Sequence, residues 1–125
     1  MEPPVVPENG PPAVSLCVLT KRGDFVRASH GRRYAAPGFN LQARKRALGE
    51  AAGIRIGFTC SRKVGNAVAR NRAKRRLREI ARQVLPDLGR DGWDYVLVGR
   101  NDTTASLPFD QLLADLRRAL KKVHG

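Results

Sequence analysis

The sequence predicts a two-layer α/β (α+β) sandwich, a small central sheet with helices packed on it. Three observations carry this. Residues 54–60 alternate, with Ile54, Ile56, Phe58 and Cys60 to one side and Arg55, Gly57 and Thr59 to the other, as a half-buried strand requires. Residues 67–85 place Ala73, Leu77, Ile80, Ala81 and Val84 on one helical face. Residues 106–123 carry a second helical stripe of Phe109, Leu112, Leu113, Leu116, Leu120 and Val123. A chain of 125 residues that is 42% hydrophobic builds one domain around one core. With 6% aromatic residues, that core is mainly Leu, Val, Ile and Ala.

Taken in order, residues 1–13 hold five of the eight prolines and almost no large apolar side chain, so they read as a disordered tail before a single folded domain over 14–125. An apolar patch over 14–19 leads to Thr20, which caps a helix running to about Ser29, and Gly31 ends it in the left-handed conformation. Residues 34–41 form a strand that Pro37 and Gly38 interrupt, which suggests an edge or a bulge. Residues 42–53, with Arg44, Lys45 and Arg46, read as an exposed hairpin loop before the strand at 54–60. Pro86 blocks continuation of the basic helix, and Gly89 and Gly92 mark the loop beyond it. Residues 95–98 make a third, short strand, and the last helix starts near Ser106 with Pro108 in its first turn. Should the strands at 54–60 and 95–98 be parallel neighbours, the helix between them is a crossover, right-handed by the general rule.

Charge narrows the function. Lys and Arg number 24 against 11 Asp and Glu, a formal +13, and arginine outnumbers lysine 18 to 6. Such a surplus repels itself unless a polyanion neutralises it, and guanidinium forks suit phosphate. The excess concentrates in residues 61–82, where Arg62, Lys63, Arg70, Arg72, Lys74, Arg75, Arg76, Arg78 and Arg82 face a single acid, Glu79. A solvated helix face interleaves both signs; this one does not, so it reads as a nucleic-acid interface, with Asn71, Arg75, Arg78 and Arg82 opposite the apolar stripe. A leucine-zipper basic region would need an unbroken helix into heptads, which Pro86, Gly89 and Gly92 interrupt.

Catalytic patterns are absent. The two histidines, His30 and His124, have no motif partners, and Cys17 and Cys60 lack zinc spacing and fit a reduced, cytoplasmic setting. Asp87, Asp91 and Asp94 read as turn-forming loop residues rather than Mg²⁺ ligands. No apolar run approaches the ~20 residues of a bilayer span, so a membrane partner is not expected. Phe25 and Tyr34 are candidates to stack on unpaired bases, or else to fill the core and the sheet edge.

The segment Ser61-Arg62-Lys63-Val64-Gly65-Asn66-Ala67-Val68-x-Arg70-Asn71-Arg72-x-Lys74-Arg75, continuing to Arg78-Glu79, closely resembles the signature of the bacterial ribonuclease P protein subunit. Thr20-Lys21-Arg22-x-Asp24-Phe25, the strand at 54–60, Asp94-Tyr95-Val96-Leu97-Val98-x-Arg100 and the closing helix extend the likeness over about residues 16–122. The resemblance implies an αβββαβα-like order with an unusual left-handed βαβ crossover, against the general rule. It also implies a protein that binds a catalytic RNA and helps it remove the 5′ leader of precursor tRNA, with Mg²⁺ held mainly by the RNA. Carried over by position, Arg62, Lys63, Asn66, Arg70, Asn71, Arg72, Lys74, Arg75, Arg76 and Arg78 become RNA contacts, and Phe25, Tyr34, Ser61 and Arg100 become leader-cleft residues. Ser29 stands where family members often carry a second aromatic, which leaves more of the stacking to Phe25. The alternative with the same charge pattern is a structural, ribosomal-type RNA-binding protein without an enzymatic assembly.

Overall fold

Hydrophobic alternation and hydrogen-bond register together build one five-stranded sheet. The computed structural model describes residues 16–47, 53–60, 65–100 and 102–125. Chain order is β1 (Leu16–Val18), α1 (Arg22–Ser29), β2 (Arg32–Ala35), β3 (Phe39–Lys45), β4 (Ile54–Thr59), α2 (Ala67–Leu88), β5 (Trp93–Gly99), α3 (Thr103–Ser106) and α4 (Phe109–His124). The strands lie in the order β1-β4-β5-β3-β2. β4 pairs parallel with β1 and β5, and β3 pairs antiparallel with β5 and β2, so α2 is a crossover between adjacent parallel strands.

The two faces of the sheet are unequal. Phe39, Leu41, Ala43, Ile54, Ile56, Tyr95 and Leu97 point to one side, where α2 supplies Leu77, Ile80, Ala81, Val84 and Leu85, and α4 supplies Leu112, Leu116, Leu120 and Val123. Among the described residues, the other side receives only α1, through Leu19, Ala28, Val96 and the flanking Phe25 and Val98. An eight-residue helix is about 12 Å long, too short to cover five strands spaced about 4.8 Å apart. Part of that face is left open.

Local chemistry departs from the sequence expectation at several joints. The N-cap of α1 is Lys21 rather than Thr20, and it makes no side-chain capping bond. Gly31 does not adopt positive φ; it is needed because a Cβ there would sit 2.2 Å from the Ala43 carbonyl oxygen. Pro37 and Gly38 do not weaken one strand but turn between two, closed by the Ala36 N–H donating to the Phe39 carbonyl at 2.9 Å. Arg44 and Lys45 belong to β3, and Arg46 is 5% exposed, so they are not an exposed loop. Helix α2 runs through Pro86 to Leu88. Proline's φ is helical, and the Arg82 carbonyl it leaves without a donor belongs to an exposed residue, within reach of solvent. Pro108 is the N-cap of α4, where no backbone N–H is needed, and α3 is a separate turn before it. β1 was not anticipated as a strand.

The reason Arg46 can be buried is Asp94. This carboxylate, fully buried in the central strand, accepts from Arg46 Nη1 at 2.6 Å, Arg55 Nε at 2.7 Å, Arg55 Nη2 at 2.9 Å and Arg44 Nη1 at 3.3 Å. Register sets the geometry: Arg44 on β3 and Arg55 on β4 lie directly opposite Asp94 on either side. Burial alone would raise the Asp94 pKa, but hydrogen bonds from Arg55 and Arg46, and their charge, hold it below the ordinary carboxylate value. At the start of β5, the Tyr95 hydroxyl lies 2.6 Å from His124 Nε2, and Trp93 packs edge-on against the imidazole with centroids 4.5 Å apart. Desolvation pushes Tyr95 up to about 12. Desolvation, reinforced by Arg90 and Arg32, lowers His124 to about 4.

Asp94→Asn should leave buried guanidinium charge uncompensated and lower the unfolding free energy by about 3–5 kcal/mol, measured by urea denaturation. A loss below about 1 kcal/mol would show the arginines are held by other means. Folded His124 stays neutral to about pH 4, whereas an unfolded histidine binds a proton near 6.5. Its contribution is therefore complete above about pH 6.5 and is lost as pH falls toward about 4. Thermal melts from pH 7 to 4.5 should show wild type losing more Tm than His124→Gln; parallel curves would contradict this.

Candidate RNA interface

α2 begins where Asn66 accepts a hydrogen bond from the Ala69 N–H at 2.9 Å, so this predicted RNA contact is also the helix N-cap. Beyond it the basic residues divide by what they touch. Asn71, Arg72, Arg75, Arg78 and Arg82 are exposed, while Arg70, Lys74 and Arg76 are half-buried. Among the described residues of α2, only Arg82 sits on a carboxylate, that of Glu79. The helix is not neutralised from within.

Several guanidinium groups nevertheless have structural work. Arg70 donates to the Gly65 carbonyl at 2.9 Å and so ties the helix to its entry. Arg72 Nε donates to the Ala105 carbonyl at 3.2 Å. Arg76 donates to Ala105 and Leu107, both at 2.5 Å, and lies 5.9 Å from the Phe109 ring centroid. Arg72 and Arg76 therefore clasp α3 and the start of α4. Arg78 covers the Phe58 ring at 5.8 Å. Arg75 and Asn71 are the exposed polar members of the row that no such bond engages. Lys74 reaches toward Cys60, whose thiol is raised by burial against the lowering influence of that ammonium. Ser61, Arg62 and Lys63 lie outside the described residues.

The open sheet face carries the second part of the site. Phe25, with Arg22, Ser29, Gln42, Thr59 and Val98, lines a concavity of about 310 Å³ between α1 and the sheet. A second, of about 270 Å³, continues past Arg33, Asn40, Gln42 and Val98. The shared Gln42 and Val98 make these one groove. Beneath the Phe25 ring, Gly57 must lack a side chain, because a Cβ there would stand 2.5 Å from that ring. Arg100 reaches the groove end by donating to Asn40 Oδ1 at 2.7 Å, while its backbone N–H donates to Thr104 Oγ1.

Tyr34 borders the second concavity with Arg33, Ala35 and Asn40. Paired with Leu41, it also packs on the main core, on the side of the sheet that faces α2 and α4, and it does not line the concavity that holds Phe25. Asn40, Gln42 and Val98, which the sequence reading did not single out, do line the groove. Parity from the apolar Leu41 and Leu97 was the signal that could have found them.

With this geometry in hand, comparison with known proteins is specific. The Ribonuclease P family profile matches residues 16–124. The chain is 68% identical over 121 residues to the ribonuclease P protein component of Ruegeria pomeroyi, covering 92% of this chain and 97% of that one. It is 50% identical over 115 residues to that of Paramagnetospirillum magneticum, covering 89% and 85%. Among solved structures, the Staphylococcus aureus RNase P protein superposes with TM-score 0.69 at 27% identity, covering 86% of this chain and 97% of that one. The RNase P protein from Thermotoga maritima gives 0.67 at 26% identity, covering 83% and 94%.

The partners of Arg75 and Arg76 separate two roles on one helix. Arg75→Ala should leave stability within about 0.5 kcal/mol and reduce the magnitude of the log–log salt slope of RNA binding by about 0.7–0.9. Arg76→Ala should lower the unfolding free energy by about 1–3 kcal/mol, through the two hydrogen bonds lost to Ala105 and Leu107 and the Leu107 carbonyl deprived of that donor. Denaturation and salt titration of the two variants side by side test this; an Arg76→Ala protein as stable as wild type would refute the clasp.

Proposed function

This chain belongs to the ribonuclease P protein family, the protein subunit of the ribonucleoprotein that processes the 5′ end of tRNA, and we propose that it works there by holding two RNA segments on opposite layers of one sandwich. The basic face of α2, with Asn66, Arg70, Asn71, Arg72, Lys74, Arg75, Arg76 and Arg78, docks on the structured RNA subunit, and Arg62 and Lys63 extend that surface along the sequence. The groove beside α1, walled by Phe25, takes the single-stranded 5′ leader of precursor tRNA. Arg100 stands at its end, and Ser61 adjoins it in sequence.

The observation that carries this division is placement. α2 packs on one side of the sheet and Phe25 on the other, so both RNA segments fit without competing. The groove has the character a leader needs: an aromatic for stacking, amide side chains at Asn40 and Gln42, and cations at Arg22 and Arg33 rather than an acid.

In this reading the RNA subunit performs the hydrolysis with Mg²⁺. The chain's own donor set does not suit that ion: among the described residues no three His, Cys, Asp or Glu side chains converge. Asp94, in β5, is committed to three arginines, and Asp91 accepts from the Gly53 N–H. No step is derived through a protein-bound metal.

Reconstitution with a ribonuclease P RNA and precursor tRNA at low Mg²⁺ should show stimulated 5′ cleavage that the chain alone does not produce. Cleavage by the purified chain without RNA would overturn the assignment of chemistry to the RNA. Phe25→Ala should weaken binding of leader-bearing precursor by about tenfold, the loss of one stacked base, and leave mature tRNA unaffected. Equal losses for both substrates would remove the leader from this groove.

A further inference from the structure

A third charged surface lies at the far end of the helical layer. Charge along α4 is polarised: Asp110 and Asp115 fall in its first half, and Arg117, Arg118, Lys121 and Lys122 in its second. The basic end of α4 meets the edge strand β2, where Arg32, Arg33 and Lys122 line a concavity of about 410 Å³. On its other flank, Lys121 and Arg90 border a smaller hollow. All of Arg32, Arg33, Arg90, Arg117, Lys121 and Lys122 are exposed, and among the described residues none has a carboxylate within ion-pair distance.

The dipole of α4 does not account for so many cations. Its C-terminus carries about half a negative charge, and its last carbonyls already receive Arg32, on Val123, and Arg90, on His124. Arg117, Lys121 and Lys122 remain without an internal anion. α2 and α4 lie side by side on one face of the sheet and run in the same direction. Arg76 of α2 covers Phe109 at the start of α4, and Leu88 and Leu120 line one hollow at their far ends. The exposed sides of both helices therefore look the same way, and the basic end of α4 lies about 25 Å along the layer from Arg70 and Arg72.

We propose that Arg117, Lys121 and Lys122, flanked by Arg32, form a second phosphate-binding surface for the RNA subunit, which is thereby held at both ends of the helical layer. This rests on the family reading of the preceding section. The partner is the structured RNA rather than the leader because the surface continues the α2 side of the sandwich and stands on the opposite layer from Phe25.

The test uses the full chain and a ribonuclease P RNA. The triple variant Arg117→Gln/Lys121→Gln/Lys122→Gln should bind that RNA at least about tenfold more weakly near physiological salt, with the slope magnitude reduced by about two. Binding of a single-stranded leader oligonucleotide should be unchanged, and Lys121→Arg/Lys122→Arg should keep the wild-type slope. Unchanged affinity for the RNA subunit overturns the proposal. So does a loss of the same size for the leader oligonucleotide, or a loss seen only with precursor tRNA. Wild-type chain that fails to bind the RNA subunit at all would overturn the proposed docking of α2 too, whereas a null effect confined to the triple variant leaves that docking standing.

Discussion

One carboxylate orders the middle of this protein. Asp94 stands in the central strand with an arginine opposite it on each neighbouring strand and a third, Arg46, folded in from the end of β3. Strand pairing is otherwise degenerate to a slip of two residues and catastrophic at a slip of one, which exchanges the two faces. Ionic pairing at one rung favours a single answer. In a chain so rich in guanidinium, one fully buried acid can select which arginines belong to this rung of the sheet.

From that registered sheet follow two surfaces of different character. Side chains at odd and even positions go to opposite layers, and the layers are covered unequally. α2 and α4 bury one face and turn their charge outward. α1 is short and leaves a channel on the other face, in which polar Asn40 and Gln42 come from the same strand as core Phe39 and Leu41. One sheet thus carries a broad cationic face on one layer and a narrow aromatic slot on the other, the pair of surfaces on which the proposed division of RNA segments rests.

How much of this was legible in the sequence depended on the range of the interaction. β4, α2 and α4 were readable because their apolar periodicity is local, and Asn66 to Arg78 were readable because cations crowd one helix. The Asp94 network was not: its partners are 39 to 50 residues away and meet only through register. Arg44 to Arg46 were therefore taken for a solvated loop, the default place for three consecutive cations. Aromatic character does not show that Tyr34, at the edge of the second concavity, also packs on the core layer, which follows from its pairing with Leu41. Nor does charge density distinguish Arg75, which faces solvent, from Arg76, which holds the backbone of the next elements.

The floor beneath Phe25 has a consequence of its own. Because residue 57 has no side chain, the phenyl ring rests directly on strand backbone. Its height above the sheet is then set by van der Waals contact with main-chain atoms, which cannot swing aside as a side chain would. In the proposed leader binding, a base stacked on this ring would meet a face held at fixed height, whatever its own identity. Such a contact would read thickness, a property that all four nucleobases share, rather than the hydrogen-bonding edges by which they differ.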